Sequence, residues 1–194
     1  MRSGAAAGLA VLAGLATAAA ADTERRYGVG REATPEEIGL RDLSVLPTGA
    51  GLPEGWGTAQ AGRPLYEARC APCHGPKGEG VGDDYPPLAG GQGSLASKEP
   101  LLTVGSYWPY ATTVFDYIRR AMPYDDLGAL SPDLVYAITA YVLRLNGIVA
   151  EGGVLDRQTL PAVRMPNRDG FMPDPRPDVG APGGGNAKGE PPGR

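Results

Sequence analysis

Cys70-Ala71-Pro72-Cys73-His74 contains both cysteines and the single histidine of a 194-residue chain. Two cysteines three apart with a histidine directly after the second form the attachment pattern of a c-type haem. One short turn offers two thiols to the two vinyl groups of the porphyrin and leaves the adjacent imidazole beneath the iron. Other uses of the motif fit less well. A thioredoxin-like C-x-x-C calls for a βαβ setting that the flanks do not supply. A closed zinc site needs two more good ligands, and a structural disulfide has no use for His74. The same count excludes a multi-disulfide scaffold and a two-histidine metal site within the chain. Cys70 and Cys73 are the expected cofactor attachment points and His74 the expected iron ligand of one haem c.

Around that pentapeptide lies the one stretch, about 58 to 147, with enough helical periodicity for a core. Pro64 opens a first helix through Leu65, Tyr66 and Ala68 into Cys70. A second run, Thr113 to Ala121, spaces Val114, Phe115, Ile118 and Ala121 for a helix. The third is the clearest: Ser131, Pro132 and Asp133 introduce Leu134, Val135, Ile138, Tyr141, Val142 and Leu145, and Asn146-Gly147 ends it. A long Gly/Pro-rich loop, Gly75 to Trp108, joins the first two. No strand alternation is evident, so the expected class is all-α. A unit of about 90 residues gains from extra support, which a large cofactor supplies.

The flanks divide further. Residues 22–57 read as a polar arm with one short helix started by Thr34-Pro35-Glu36-Glu37. Residues 148–172 read as an extended strap. Residues 173–194 hold 6 Pro and 6 Gly, so few of them can join a packed core, and read as a disordered tail. At the N-terminus, Arg2 precedes an uncharged run from Ser3 to Ala21 that ends in Ala19-Ala20-Ala21, the order of a secretory signal peptide over residues 1–21. Its apolar part, Ala5 to Leu15, is short for a bilayer span. An uncleaved anchor is the alternative, and stable membrane insertion is not expected. The expected location is the periplasm.

Charge narrows the partners. Eighteen basic against 22 acidic residues give a net charge of -4, and removing the signal segment takes away only Arg2. That balance argues against a general electrostatic grip on nucleic acid or anionic lipid. Nor is there an independent catalytic constellation. His74 is committed to iron, so no serine can be paired with a histidine base. Gly90-Gly91-Gln92-Gly93 follows no strand and is not a nucleotide loop.

With one histidine, the sixth iron ligand falls to a methionine, another weak ligand or an open position. Outside the signal segment the methionines are Met122, Met165 and Met172; Met122 ends the second helix before Pro123 and is the candidate, with Met165 of Met165-Pro166 as the alternative. A His/Met pair is the electron-transfer ligation.

The C-x-x-C-H helix, the loop Tyr85-Pro86-Pro87-Leu88-Ala89-Gly90, the helix ending at Met122-Pro123 and the last helix with Ala140-Tyr141-Val142 resemble a class I cytochrome c over residues 58–147. The resemblance implies that a proline carbonyl, Pro86 or next to it Pro87, accepts a hydrogen bond from His74. It also implies that the first and last helices cross at Gly62 and Tyr141. Tyr107, Trp108, Tyr110, Arg119 and Arg120 are candidates for contacting the haem propionates, with Trp108 or an arginine foremost.

Four longer stretches carry a narrower resemblance: Tyr27 to Arg31 with Ala33 to Ile38, Thr103 to Thr113, Phe115 to Pro123, and Leu160 to Asn167. Together they are similar to the cytochrome subunit of sulfite or sulfane dehydrogenase. This implies that the chain accepts electrons, one at a time, from a molybdenum-cofactor dehydrogenase subunit of a thiosulfate-oxidising Sox system. A downstream acceptor such as another cytochrome c follows. Some members carry a second C-terminal haem domain, whereas this chain has one C-x-x-C-H and a Gly/Pro tail at that point. A free cytochrome c shuttling between respiratory complexes is the other functional expectation.

Overall fold

A computed structural model describes residues 29–172. The signal segment and the tail lie outside the described residues.

Helix α1, Pro35–Arg41, stands where the capping signal puts it. The Glu37 N–H donates to Thr34 Oγ1 at 3.3 Å, and the Thr34 N–H donates back to the Glu37 carboxylate at 2.9 Å. That reciprocal pair satisfies two donors that the first turn would otherwise leave open. No residue of α1 is buried.

Strand β1, Trp56–Thr58, pairs antiparallel with β2, Val154–Asp156, with Gly57 opposite Leu155. The helical expectation holds, with this small two-stranded sheet added to it. Each strand has three residues, and the inward position of β1 is Gly57, which carries no apolar side chain to reveal an alternation.

Helix α2, Ala59–Arg69, starts five residues before the expected Pro64. Thr58 caps it, accepting from the Ala61 N–H at 3.2 Å. Pro64 therefore lies within the helix, where it cannot donate to the Gln60 carbonyl. Both residues are exposed, so water can reach that carbonyl. After the short helix α3, Ala71–His74, come α4, Ala111–Ala121, and α5, Pro132–Leu145. Helix α5 has the expected bounds, and Gly147 behind it has φ +70°. Ser131 occupies the cap position without a capping side-chain bond.

Helices α2 and α5 cross at Gly62. A Cβ there would lie 1.9 Å from the Ala137 carbonyl oxygen and 3.0 Å from Tyr141 Cβ, so the helices can meet this closely only over glycine. One turn on, the Tyr66 and Tyr141 rings lie 5.1 Å apart, and Phe115 of α4 meets Tyr136 of α5 at 4.5 Å.

Both flanks join this core. Val45 and Leu52 from the N-terminal side, and Leu155, Leu160 and Met165 from the C-terminal side, are buried in the same cluster as Phe115 and Leu143. The Val45 N–H donates to Asp116 Oδ1 at 3.0 Å, and Tyr136 Oη donates to the Pro53 carbonyl at 3.0 Å. The segment read as a surface strap thus supplies core side chains. They are too widely spaced to show a period, because they come from a strand, a 3₁₀ turn at Leu160–Ala162 and a loop. Among the described residues, no helix is long and apolar enough to cross a membrane.

Candidate functional site

Cys70 closes α2 and begins α3, so the backbone turns sharply at the first cysteine. The Cys73 and His74 N–H groups both donate to the Cys70 carbonyl, at 3.2 and 2.8 Å. Residues three apart on one helical turn share a face, and this turn is the scaffold that presents both thiols together. Both cysteines are unbonded and half-buried. Burial pushes the Cys70 thiol up to about 11, against an opposing pull from Arg69. At neutral pH it is a protonated thiol, unlike the depressed thiolate of a dithiol exchange catalyst.

His74 Nδ1 lies 3.0 Å from the Pro86 carbonyl oxygen. A carbonyl only accepts, so Nδ1 carries a proton, and in the neutral ring the lone pair then lies on Nε2. No group among the described residues bonds to Nε2. The expected proline is thus the one found. The loop reaches His74 by folding back at Gly80, whose N–H donates to the His74 carbonyl at 2.8 Å. Gly80 has φ +82°, and a Cβ there would sit 2.7 Å from the Tyr85 carbonyl oxygen. Leu88 and Ala89 then donate to the Gly78 carbonyl at 2.8 and 3.0 Å, closing the loop.

The methionines differ sharply. Met165 is 1% exposed within the core, Met172 is 91% exposed, and Met122 is half-buried at the C-cap of α4. Of the propionate candidates, Arg120 is ion-paired with Asp116, donating from Nε at 3.0 Å, and Arg119 donates to the Leu43 carbonyl at 3.3 Å. Arg119 therefore holds the N-terminal flank on α4 directly, while Arg120 braces the Asp116 carboxylate that binds the Val45 N–H. Tyr107 packs edge-on to Phe171, and Tyr110 lies under the Arg168 guanidinium. Trp108 is half-buried against Tyr117, with an indole N–H that has no hydrogen-bond partner among the described residues.

Two residues that the sequence did not single out organise the site. Asn146 Nδ2 donates to the Leu88 and Val142 carbonyls at 3.0 and 2.9 Å, while its Oδ1 accepts from the Gly90 N–H at 3.2 Å. It ties the histidine-facing loop to the end of α5. Tyr66 Oη donates to the Gly75 carbonyl at 2.9 Å, fixing the residue after His74. As a helix-ending Asn-Gly pair and a core aromatic, both carry ordinary local signals that hide these longer contacts.

The donor set fits haem c. Two thiols share one turn, an imidazole is oriented through Nδ1 with Nε2 available, and Leu88, Trp108 and Leu130 adjoin the core while staying part-exposed. A flat apolar group would cover such side chains at a gain of about 25 cal/mol per Å².

Comparison with known proteins agrees. The family described as Cytochrome c matches residues 59–146. Among solved structures, a chain of the sulfane dehydrogenase SoxCD from Paracoccus pantotrophus is 49% identical, with a TM-score of 0.72, over 77% of this chain and 73% of that one. A chain of the thiosulfate dehydrogenase TsdBA from Marichromatium purpuratum is 29% identical, with a TM-score of 0.35, over 44% of this chain and 17% of that one. No curated protein matches the chain.

Proposed function

Because the chain belongs to the cytochrome c family and takes haem c as an electron-transfer group, we propose that it is the haem subunit of a molybdenum-dependent sulfite or sulfane dehydrogenase. It would accept electrons from the molybdenum-cofactor subunit in the periplasm and deliver them to a downstream acceptor such as another cytochrome c. The observation that carries this is the extent of the likeness to the SoxCD chain. At 77% of the chain it exceeds the span 59–146 of the cytochrome domain, so it includes flanking sequence that electron transfer alone does not require. Those flanks enter the core through Val45, Leu52, Leu155, Leu160 and Met165.

When bound, the haem supplies a one-electron Fe(III)/Fe(II) couple, whose potential methionine ligation raises. Cys70 and Cys73 would hold it by thioethers, and His74 and Met122 would ligate the iron. The Nδ1–H bond from His74 to the Pro86 carbonyl fixes the tautomer, sets the plane of the ring and raises the basicity of Nε2. Met122 is held from one side by its own N–H, which donates to the Ile118 carbonyl at 3.2 Å.

The test is isolation of the native chain with whatever accompanies it, followed by addition of sulfite or thiosulfate while the haem absorbance is followed. Copurification with a molybdenum protein, and haem reduction only in its presence, is the expected result. A chain that elutes alone, and stays oxidised when such a protein and sulfur donor are supplied, would instead be a freely diffusing shuttle.

A further inference from the structure

Residues 123–130, which follow Met122, are packed at their ends by the buried Pro123 and the part-buried Leu130 and have few fastenings between them. Tyr124 is 85% exposed and Leu127 62% exposed. Within the segment, the Asp126 N–H donates to the Pro123 carbonyl at 3.1 Å, and the Ala129 N–H donates to the Asp126 carbonyl at 3.3 Å, giving two successive turns hinged on Asp126. Among the described residues, one polar contact joins this segment to the rest of the chain. Arg69 Nη2 donates to Asp126 Oδ2 at 2.7 Å. Arg69 is the last residue of α2 and directly precedes Cys70. A single ion pair therefore bridges the backbone that carries the two thiols and the first turn after the methionine.

We infer that Arg69 and Asp126 form a clasp that positions Met122, setting how firmly its thioether is held at the sixth iron position. This rests on the reading of Met122 as the axial ligand. Both side chains are about half exposed, so the pair is worth little to global stability. Its leverage is local. Met122 is fixed from the helix side by the Ile118 carbonyl, while on the other side the only polar restraint among the described residues across the gap to the attachment turn runs through Asp126. Loss of the clasp lets the segment swing without unfolding the helices behind it. The contact is electrostatic and exposed, so salt must weaken it.

The experiment uses the full-length ferric holoprotein and imidazole as an external ligand that competes with the thioether, followed by loss of the weak sulfur-to-iron absorption band at long wavelength. Arg69→Gln and Asp126→Asn should each tighten apparent imidazole binding by about twofold to fivefold at low salt, the range an exposed ion pair supports. The double variant should show no further gain, and the charge exchange Arg69→Asp with Asp126→Arg should return affinity toward the wild-type value. High salt should shift the wild type toward the single variants and leave those variants unmoved. Unchanged imidazole affinity in both single variants, or gains that add in the double variant, would overturn the clasp. Should the wild-type band survive Met122→Ala, the ligand assignment itself falls and takes the clasp with it. Loss of the band in that variant, with no effect at Arg69 or Asp126, sinks the clasp alone.

Discussion

Replacement of Gly62 by alanine tests the helix crossing on which the rest of the fold is built. The new methyl would start 1.9 Å from the Ala137 carbonyl oxygen and 2.5 Å from its carbon. Ordinary contact needs about 3.5 Å, and the obstructing atoms are backbone, so no side-chain rotation relieves the clash. Helices α2 and α5 must separate by more than an ångström, which also pulls apart the Tyr66 and Tyr141 rings. Alanine is favoured over glycine in a helix by about 1 kcal/mol, whereas overpacking a tight core costs about 1 to 3 kcal/mol and sometimes more. Backbone obstruction on this scale belongs at or above the top of that range, leaving a net loss of about 2 kcal/mol or more. With a urea dependence of about 1 to 3 kcal/mol per molar, the unfolding midpoint of the holoprotein should fall by roughly 1 M. A midpoint equal to or above the wild type would show that the helices do not meet at Gly62, and the placement of Cys70 at the end of α2 would lose its support.

Three further outcomes follow from the geometry. Asn146→Ala removes two side-chain bonds to the loop, at Leu88 and Gly90, and one to Val142, with an expected cost of about 1 to 3 kcal/mol; amide exchange at Gly90 should quicken, and unchanged exchange would contradict the tie. Met122→Ala should abolish the sulfur-to-iron band with little loss of stability, whereas Met165→Ala should keep the band and destabilise the fold by about 2 to 5 kcal/mol, as expected for a side chain in the core. Urea titration and the ferric spectrum together separate these two effects. The Glu37 carboxyl is lowered from 4.5 to about 2, chiefly by Arg31 and then by the Thr34 N–H. Its folded value is depressed, so its support of α1 is complete above the ordinary carboxyl range and lost as pH falls through about 2; a side-chain NMR titration centred near the ordinary value would refute the pairing.

The parts visible in the sequence are those whose signals are local. The heading of α5 by Ser131-Pro132-Asp133, its stop at Asn146-Gly147, and the capping box of α1 each lie within a few residues, and each element lies where those signals point. The motif at Cys70 to His74 is likewise contiguous, and the family likeness extended it to Pro86. What could not be read was made by distant partners. Gly57 lies inward in β1 because the Ala137 backbone of α5 packs against it, eighty positions later in the chain. Pro64 masks the true start of α2, since the helix tolerates it where the freed carbonyl is wet. Arg119 and Arg120 look available for a cofactor carboxylate, yet Leu43 and Asp116 already engage them. Pairings of this kind leave no periodic trace.

The closing of β2 on β1 has a consequence for biogenesis. A nascent chain released as far as Leu145 already holds α1 to α5 and the attachment turn, yet still lacks Leu155, Leu160 and Met165. Its interior stays incompletely filled until those residues arrive, and contacts between remote parts of a chain are slow to form. The fold is thus sealed from the carboxyl side: the last described segment of the chain completes the interior that the earlier helices have begun.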